Sequence, residues 1–156
     1  MIVRRATRYA ALLAMIIGVA NCAQTGMSRG MRATIPVNAN FVNLHSNLAP
    51  AAMYDTAQRF LNAQGFKIAE HDDSALKLTT GSKKVGTSRS EIRVVMEVSS
   101  EGSGSVLRAS GTYPATTTDW LALALRGDDK HASEGFEELV MLVGQLPHRE
   151  IRYESK

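Results

Sequence analysis

The sequence predicts an α+β fold of two layers, a sandwich in which an antiparallel four-stranded meander is flanked by helices. Three observations carry that expectation. Met53, Ala57, Phe60 and Leu61 recur at i, i+4, i+7 and i+8, the spacing of one helix face. From Phe66 to Tyr113 the apolar period shortens to two in four successive segments, the mark of half-buried strands. Phe136, Leu139, Val140, Val143 and Leu146 then restore a helical stripe. Helices placed before and after a run of strands must cover one face of an antiparallel sheet.

The first helix is expected over residues 49–64. Ser46 or Asn47 can cap its start, Pro50 suits its first turn, and Gly65 stands where a left-handed C′ residue belongs. Phe66 would then pack back on Leu61, as in a Schellman ending. Before this helix, Ile35, Val37, Phe41 and Val42 read as an edge strand or an extended arm, because Pro36 interrupts them. The strands follow: Phe66–Glu70, a turn at Asp72-Asp73-Ser74, Leu76–Thr80, Ile92–Val98 and Leu107–Tyr113. The connections 81–90 and 99–105 are rich in Gly and Ser and too short for a crossover helix, so the strands should form a meander. Asp119 can cap a short helix over 120–126, ended by Gly127. A longer helix is expected over 132–146, with Glu134, Glu137 and Glu138 toward its positive end and Pro147 as its stop. Ile151 and Tyr153 suit a last short strand.

The first 34 residues are of a different kind. Arg4, Arg5 and Arg8 precede Ala10–Ala20, an unbroken apolar run of 11 residues. A bilayer span needs about 20 residues, so the run fits the hydrophobic region of an export signal over residues 1–21. Residues 23–34 lack periodicity and carry Gly26 and Gly30, which reads as a flexible tether within 22–34. A single domain over 35–156 is expected after it.

The charge balance follows the same division. Three of the 18 Lys and Arg lie in the leader, and without them 15 basic residues face 15 acidic ones. The basic excess therefore belongs to a removable segment and not to a surface built to neutralise phosphates, which argues against nucleic acid as a partner.

Val19-Ala20-Asn21-Cys22 resembles the lipobox that ends the signal peptides of bacterial lipoproteins, with Asn21 standing where Gly or Ala is usual. The resemblance implies cleavage before Cys22 and transfer of diacylglycerol to its thiol. It also implies an outer-membrane address, since Ala23 stands where an Asp would signal retention at the inner membrane. Cys22 is the sole cysteine, so it has no intramolecular disulfide partner. The alternative is ordinary signal cleavage nearby, for instance after Ala23. Farther on, Tyr54–Ile68 followed by Asp72-Asp73-Ser74 and a strand resembles the repeated domains of the C lipoprotein of the β-barrel assembly machinery. That resemblance implies a helix-grip arrangement and an envelope location over residues 49–146, and it brings no catalytic residues. The family carries two such domains where this chain has room for one.

Few residues carry chemistry. His71-Asp72-Asp73 and Asp128-Asp129-Lys130-His131 would make a divalent-metal site if the fold joined the two loops, but each also suits a turn or a helix start. There is no Gly-x-Ser-x-Gly elbow, and residues 81–87 lack the lysine of a phosphate loop. No catalytic residue, resident metal or cofactor is expected. Lys77, Lys83, Lys84 and Arg89, with no acid between Ala75 and Ser90, form a basic segment suited to an anionic surface or simply to solvent. Ala109 and Gly111 would leave space for an apolar ligand on the inner face of the sheet, or let a helix approach closely. The expected function is therefore a non-catalytic, lipid-anchored envelope protein acting as an accessory or interaction module. Its partners would be the membrane, through the N-terminal anchor, and an envelope protein. The alternatives are a periplasmic small-molecule or lipid-binding domain and a metal-dependent enzyme.

Overall fold

The protein is described from a computed structural model, which covers residues 35–86 and 90–156. The leader, Cys22, the tether and Arg89 lie outside the described residues. In chain order the elements are β1 (Phe41–Ser46), α1 (Pro50–Ala63), β2 (Ile68–Asp72), β3 (Lys77–Thr80), β4 (Lys83–Val85), β5 (Ser90–Glu101), β6 (Gly104–Pro114), β7 (Trp120–Ala122), α2 (Lys130–Val143) and β8 (Glu150–Glu154). The strands make one sheet in the order β2-β3-β5-β6-β1-β8, with β4 paired to β5 and β7 to β6. Every pairing is antiparallel. The α+β sandwich is the predicted one, with eight strands where the sequence predicts a four-stranded meander.

Both helices pack on the same sheet face. In one row across the sheet, Leu78 faces Met96, Met96 faces Ala109, Ala109 faces Val42, and Val42 faces Tyr153. The next row runs Val98, Leu107, Leu44, Ile151. Met53, Ala57 and Leu61 of α1 and Phe136, Leu139 and Val143 of α2 close over these rows and are fully buried. Each of these side chains larger than Ala57 contributes about 1.5–3 kcal/mol by leaving water. The period-two and period-3.6 patterns of the sequence thus meet in one core.

Helix α1 ends as predicted. Gly65 has φ +77°, its N–H donates to the Asn62 carbonyl, and the Phe66 N–H donates to the Leu61 carbonyl, the two bonds of a Schellman motif. Its start differs from expectation. Ala49 is the N-cap and no side chain caps the helix; Ser46 Oγ instead accepts from the Leu48 N–H at 3.2 Å, and Pro50 alone sets the first turn. Helix α2 starts two residues earlier than predicted because Asp129 caps it, accepting from the Ala132 N–H at 2.9 Å.

Three further expectations are corrected. β1 lies inside the sheet between β6 and β8, because Pro36 falls before the strand, in a turn where the Ala39 N–H meets the Pro36 carbonyl. Residues 120–126 form no helix. Asp119 closes a Thr116–Asp119 turn, donating its N–H to Thr116 Oγ1, and β7 follows against the end of β6. The connection 81–90 contains β4, which prolongs the line of β3 along β5. Where that line breaks, Thr80 Oγ1 accepts the buried Val94 N–H at 2.9 Å and replaces the missing ladder bond.

The residue after β7 explains the small side chains of the core. Leu123 is fully buried, and its N–H donates to the Gly111 carbonyl. A Cβ at Gly111 would stand 2.7 Å from Leu123 Cδ1, and a Cβ at Gly135 of α2 would stand 2.5 Å from Leu123 Cδ2. Two glycines, one on the sheet and one on the helix, therefore form the slot that this leucine fills.

Candidate functional site

The basic segment does not assemble into one patch among the described residues. Alternation along β4 sends Lys83 and Lys84 to opposite faces, since Lys83 stands opposite buried Ile92 and Lys84 opposite Glu91. The Lys83 ammonium donates to the Gln64 carbonyl and lies 4.9 Å from the centre of the Phe66 ring. It thus sits at the negative end of α1, where a cation is stabilising. Lys77 and Lys84 share the uncovered sheet face, and each meets an acid from β5. Lys77 forms a 2.8 Å ion pair with Glu97, which raises the lysine's pKa, and Lys84 has Glu91 as its cross-strand neighbour. These acids lie 7 and 20 residues away in the chain, which is why the segment looks uncompensated in the sequence.

The two His/Asp clusters are built into separate parts of the fold. Asp72 Oδ1 accepts from the Ser74 hydroxyl at 2.6 Å and from the Ser74 and Ala75 N–H groups at 3.0 Å, closing the β2–β3 hairpin. The Ser74 hydroxyl bond is the first cause of this carboxyl's lowered pKa. Asp129 caps α2 and accepts the Tyr113 hydroxyl, and these bonds, the Ala132 N–H first, lower its pKa as well. Among the described residues no group of three or more His, Cys, Asp and Glu is placed to hold a metal ion.

What the hairpin does form is an open pocket of about 320 Å³ against α1, lined by Tyr54, Asp55, Gln58, His71 and Asp73 among others. Tyr54 is 4% exposed, and its hydroxyl donates to Asp73 Oδ1 at 2.8 Å. Burial, and then Asp73, push this phenol up to about 12. The α1 contribution to this pocket is not legible in the local sequence, because it needs the helix packed beside the hairpin.

The sheet face opposite the helices is polar and uncovered by any described element. Arg108 lies 3.7 Å from the centre of the Phe41 ring and donates to Glu154 Oε1 at 3.0 Å. Arg93 lies 3.6 Å from the centre of the Trp120 ring. At one end of this face Glu101 Oε2 joins the buried His45 Nδ1 at 2.7 Å and Arg149 at 3.0 Å, tying the β5–β6 hairpin to β1 and to the entry of β8. The His45 hydrogen bond is the largest cause of the lowered pKa of Glu101. Glu138 sits where a Cβ on Gly86 would fall, and burial raises its pKa.

No protein-family model matches the chain, and no curated protein matches it. Among solved structures it is similar to an exocytosis-sensitive phosphoprotein of Paramecium, the phosphoglucomutase parafusin in its open form, at 11% identity and a TM-score of 0.31. The alignment covers 72% of this chain and 22% of that one. A likeness of that size carries no argument about function.

Proposed function

We propose that this protein is a non-catalytic envelope lipoprotein, held by acylated Cys22 at the outer membrane, facing the periplasm, and serving as an accessory or interaction module. The observation that carries the reading is the succession Arg4, Arg5, Arg8, an 11-residue apolar run and Val-Ala-Asn-Cys, set before a remainder of balanced charge. Three features support the rest of it. Three of the four aspartates of the His/Asp clusters, Asp72, Asp73 and Asp129, are engaged in a hairpin, a helix cap and tyrosine hydrogen bonds. The space that Gly111 would offer an apolar ligand is filled by Leu123. The bare face of the sheet gives a partner protein a broad polar surface with two arginine-stacked aromatic rings.

Fractionation of a Gram-negative envelope tests the proposal. The wild-type chain is expected in the outer-membrane fraction, resisting extraction by salt and released by detergent. Cys22→Ala is expected to stay uncleaved in the inner membrane or to appear soluble in the periplasm. Wild type and variant found together in the soluble periplasm would overturn it.

A further inference from the structure

The main path of the sheet has two ends, and β4 and β7, off that path, are three-residue strands too short to template another. β2 is a poor template for another strand, since its pairing with β3 is irregular between Ile68 and Glu70 and every residue from Ala69 to Asp72 is exposed. β8 is regular. Its five residues pair with β1 without a break, and among the described residues no strand lies on its other side. Its sequence, Glu150-Ile151-Arg152-Tyr153-Glu154, puts Ile151 and Tyr153 half-buried on the helix side and alternates the sign of charge on the bare side.

That alternation is self-complementary under a two-fold axis. Two copies of β8 laid antiparallel about Ile151 place Ile151 against Ile151 and set Glu150 opposite Arg152 twice, by symmetry. A slip of one step, centred on Arg152, would oppose arginine to arginine and Glu150 to Glu154, and a slip of two, centred on Tyr153, would call on Glu154, which Arg108 and Asn43 already hold, so the charges and these contacts select the register. The acid needed is available. Glu154 is engaged by Arg108 and Asn43, whereas Glu150 is held by Arg152 of its own strand, at 2.8 and 2.9 Å. Pairing exchanges that contact within the strand for an equivalent one between copies.

We propose that a second copy of this chain adds to β8 by antiparallel strand pairing centred on Ile151, joining two sheets into one. The register pairs three residues of each β8, Glu150, Ile151 and Arg152, so the dimer is weak and reversible. Sedimentation of the full chain in density-matched detergent tests it, across a range of protein concentrations. The wild type is expected to pass from the monomer mass to twice that mass as concentration rises. Arg152→Glu, which opposes acid to acid, should weaken the dimer about tenfold or more. The swap Glu150→Arg with Arg152→Glu should restore it to within about threefold of wild type, because it rebuilds both pairs with their signs exchanged. A wild type monomeric throughout, or a dimer indifferent to the reversal, would overturn the proposal. Should a variant fail to fold, hydrogen exchange of wild-type β8 amides decides. Protection that rises with protein concentration supports pairing, and protection independent of concentration refutes it.

Discussion

Tyr54 shows how burial assigns a role to a residue that is unremarkable in the chain. Its ring belongs to the α1 face of the core, while its hydroxyl reaches Asp73 across the β2–β3 hairpin. The fold therefore stabilises the neutral phenol, with its pKa raised to about 12. A raised pKa means that this stabilisation is complete below the unfolded value of about 10 and is lost as pH rises through about 12. Tyr54→Phe keeps the ring and removes the proton. It should lower stability at about pH 7 by about 1 kcal/mol, the net worth of one hydrogen bond. It should also flatten the alkaline decline of the urea midpoint. An alkaline decline as steep in the variant as in wild type would show that another group governs it.

At the scale of elements, the slot around Leu123 sets one rule against another. Gly135→Ala at an exposed helical site would be favourable by about 1 kcal/mol. Here the new methyl meets a leucine that Gly111 blocks from the other side, so the substitution should destabilise by about 1–3 kcal/mol. Leu123→Ala should cost about 2–5 kcal/mol through the cavity it leaves. In the double variant the added methyl occupies part of that cavity, and the combined loss should fall short of the sum of the two by at least about 0.5 kcal/mol. Denaturant melts of the four proteins read this coupling directly, and strict additivity would contradict the slot.

Lys83 gives a second prediction of this kind. Lys83→Met keeps the apolar stem beside Phe66 and removes the cation from the end of α1, so the protein should lose about 0.5–1 kcal/mol, and less at high salt. A loss unchanged by salt would point to packing alone.

The same elements show what the residue pattern can and cannot transmit. Helix α1, its Schellman ending and the long strands are legible because each is encoded by neighbours, a periodic stripe or a glycine in a fixed place. Trp120–Arg126 is not, because seven residues are too few to separate a helical stripe from the alternation of Trp-Leu-Ala-Leu-Ala-Leu. Asp119 added to the difficulty, since an aspartate suits a turn as well as a cap. Compensation of Lys77 by Glu97, and the capture of Lys83 by α1, depend on sheet register and on a contact 19 residues away, neither of which leaves a local mark.

For the whole molecule, the helices confine the apolar burial to one side of the sheet and leave a polar face and one regular edge on the other. A domain of this shape presents a surface to partners without needing an enclosed site. In the folded part the α+β architecture, helix α1 with its ending, the long strands and most core residues are legible in the sequence, because core positions obey periodicity and surfaces do not. The proposed anchor is encoded locally in the sequence, and the proposed location and role rest on it. The most direct measurement is therefore the intact mass of the protein extracted from membranes, taken beside Cys22→Ala. The account predicts a chain beginning at Cys22 and carrying acyl chains, with that species absent from the variant. An unmodified chain beginning after Ala23, recovered from the soluble periplasm, would contradict it.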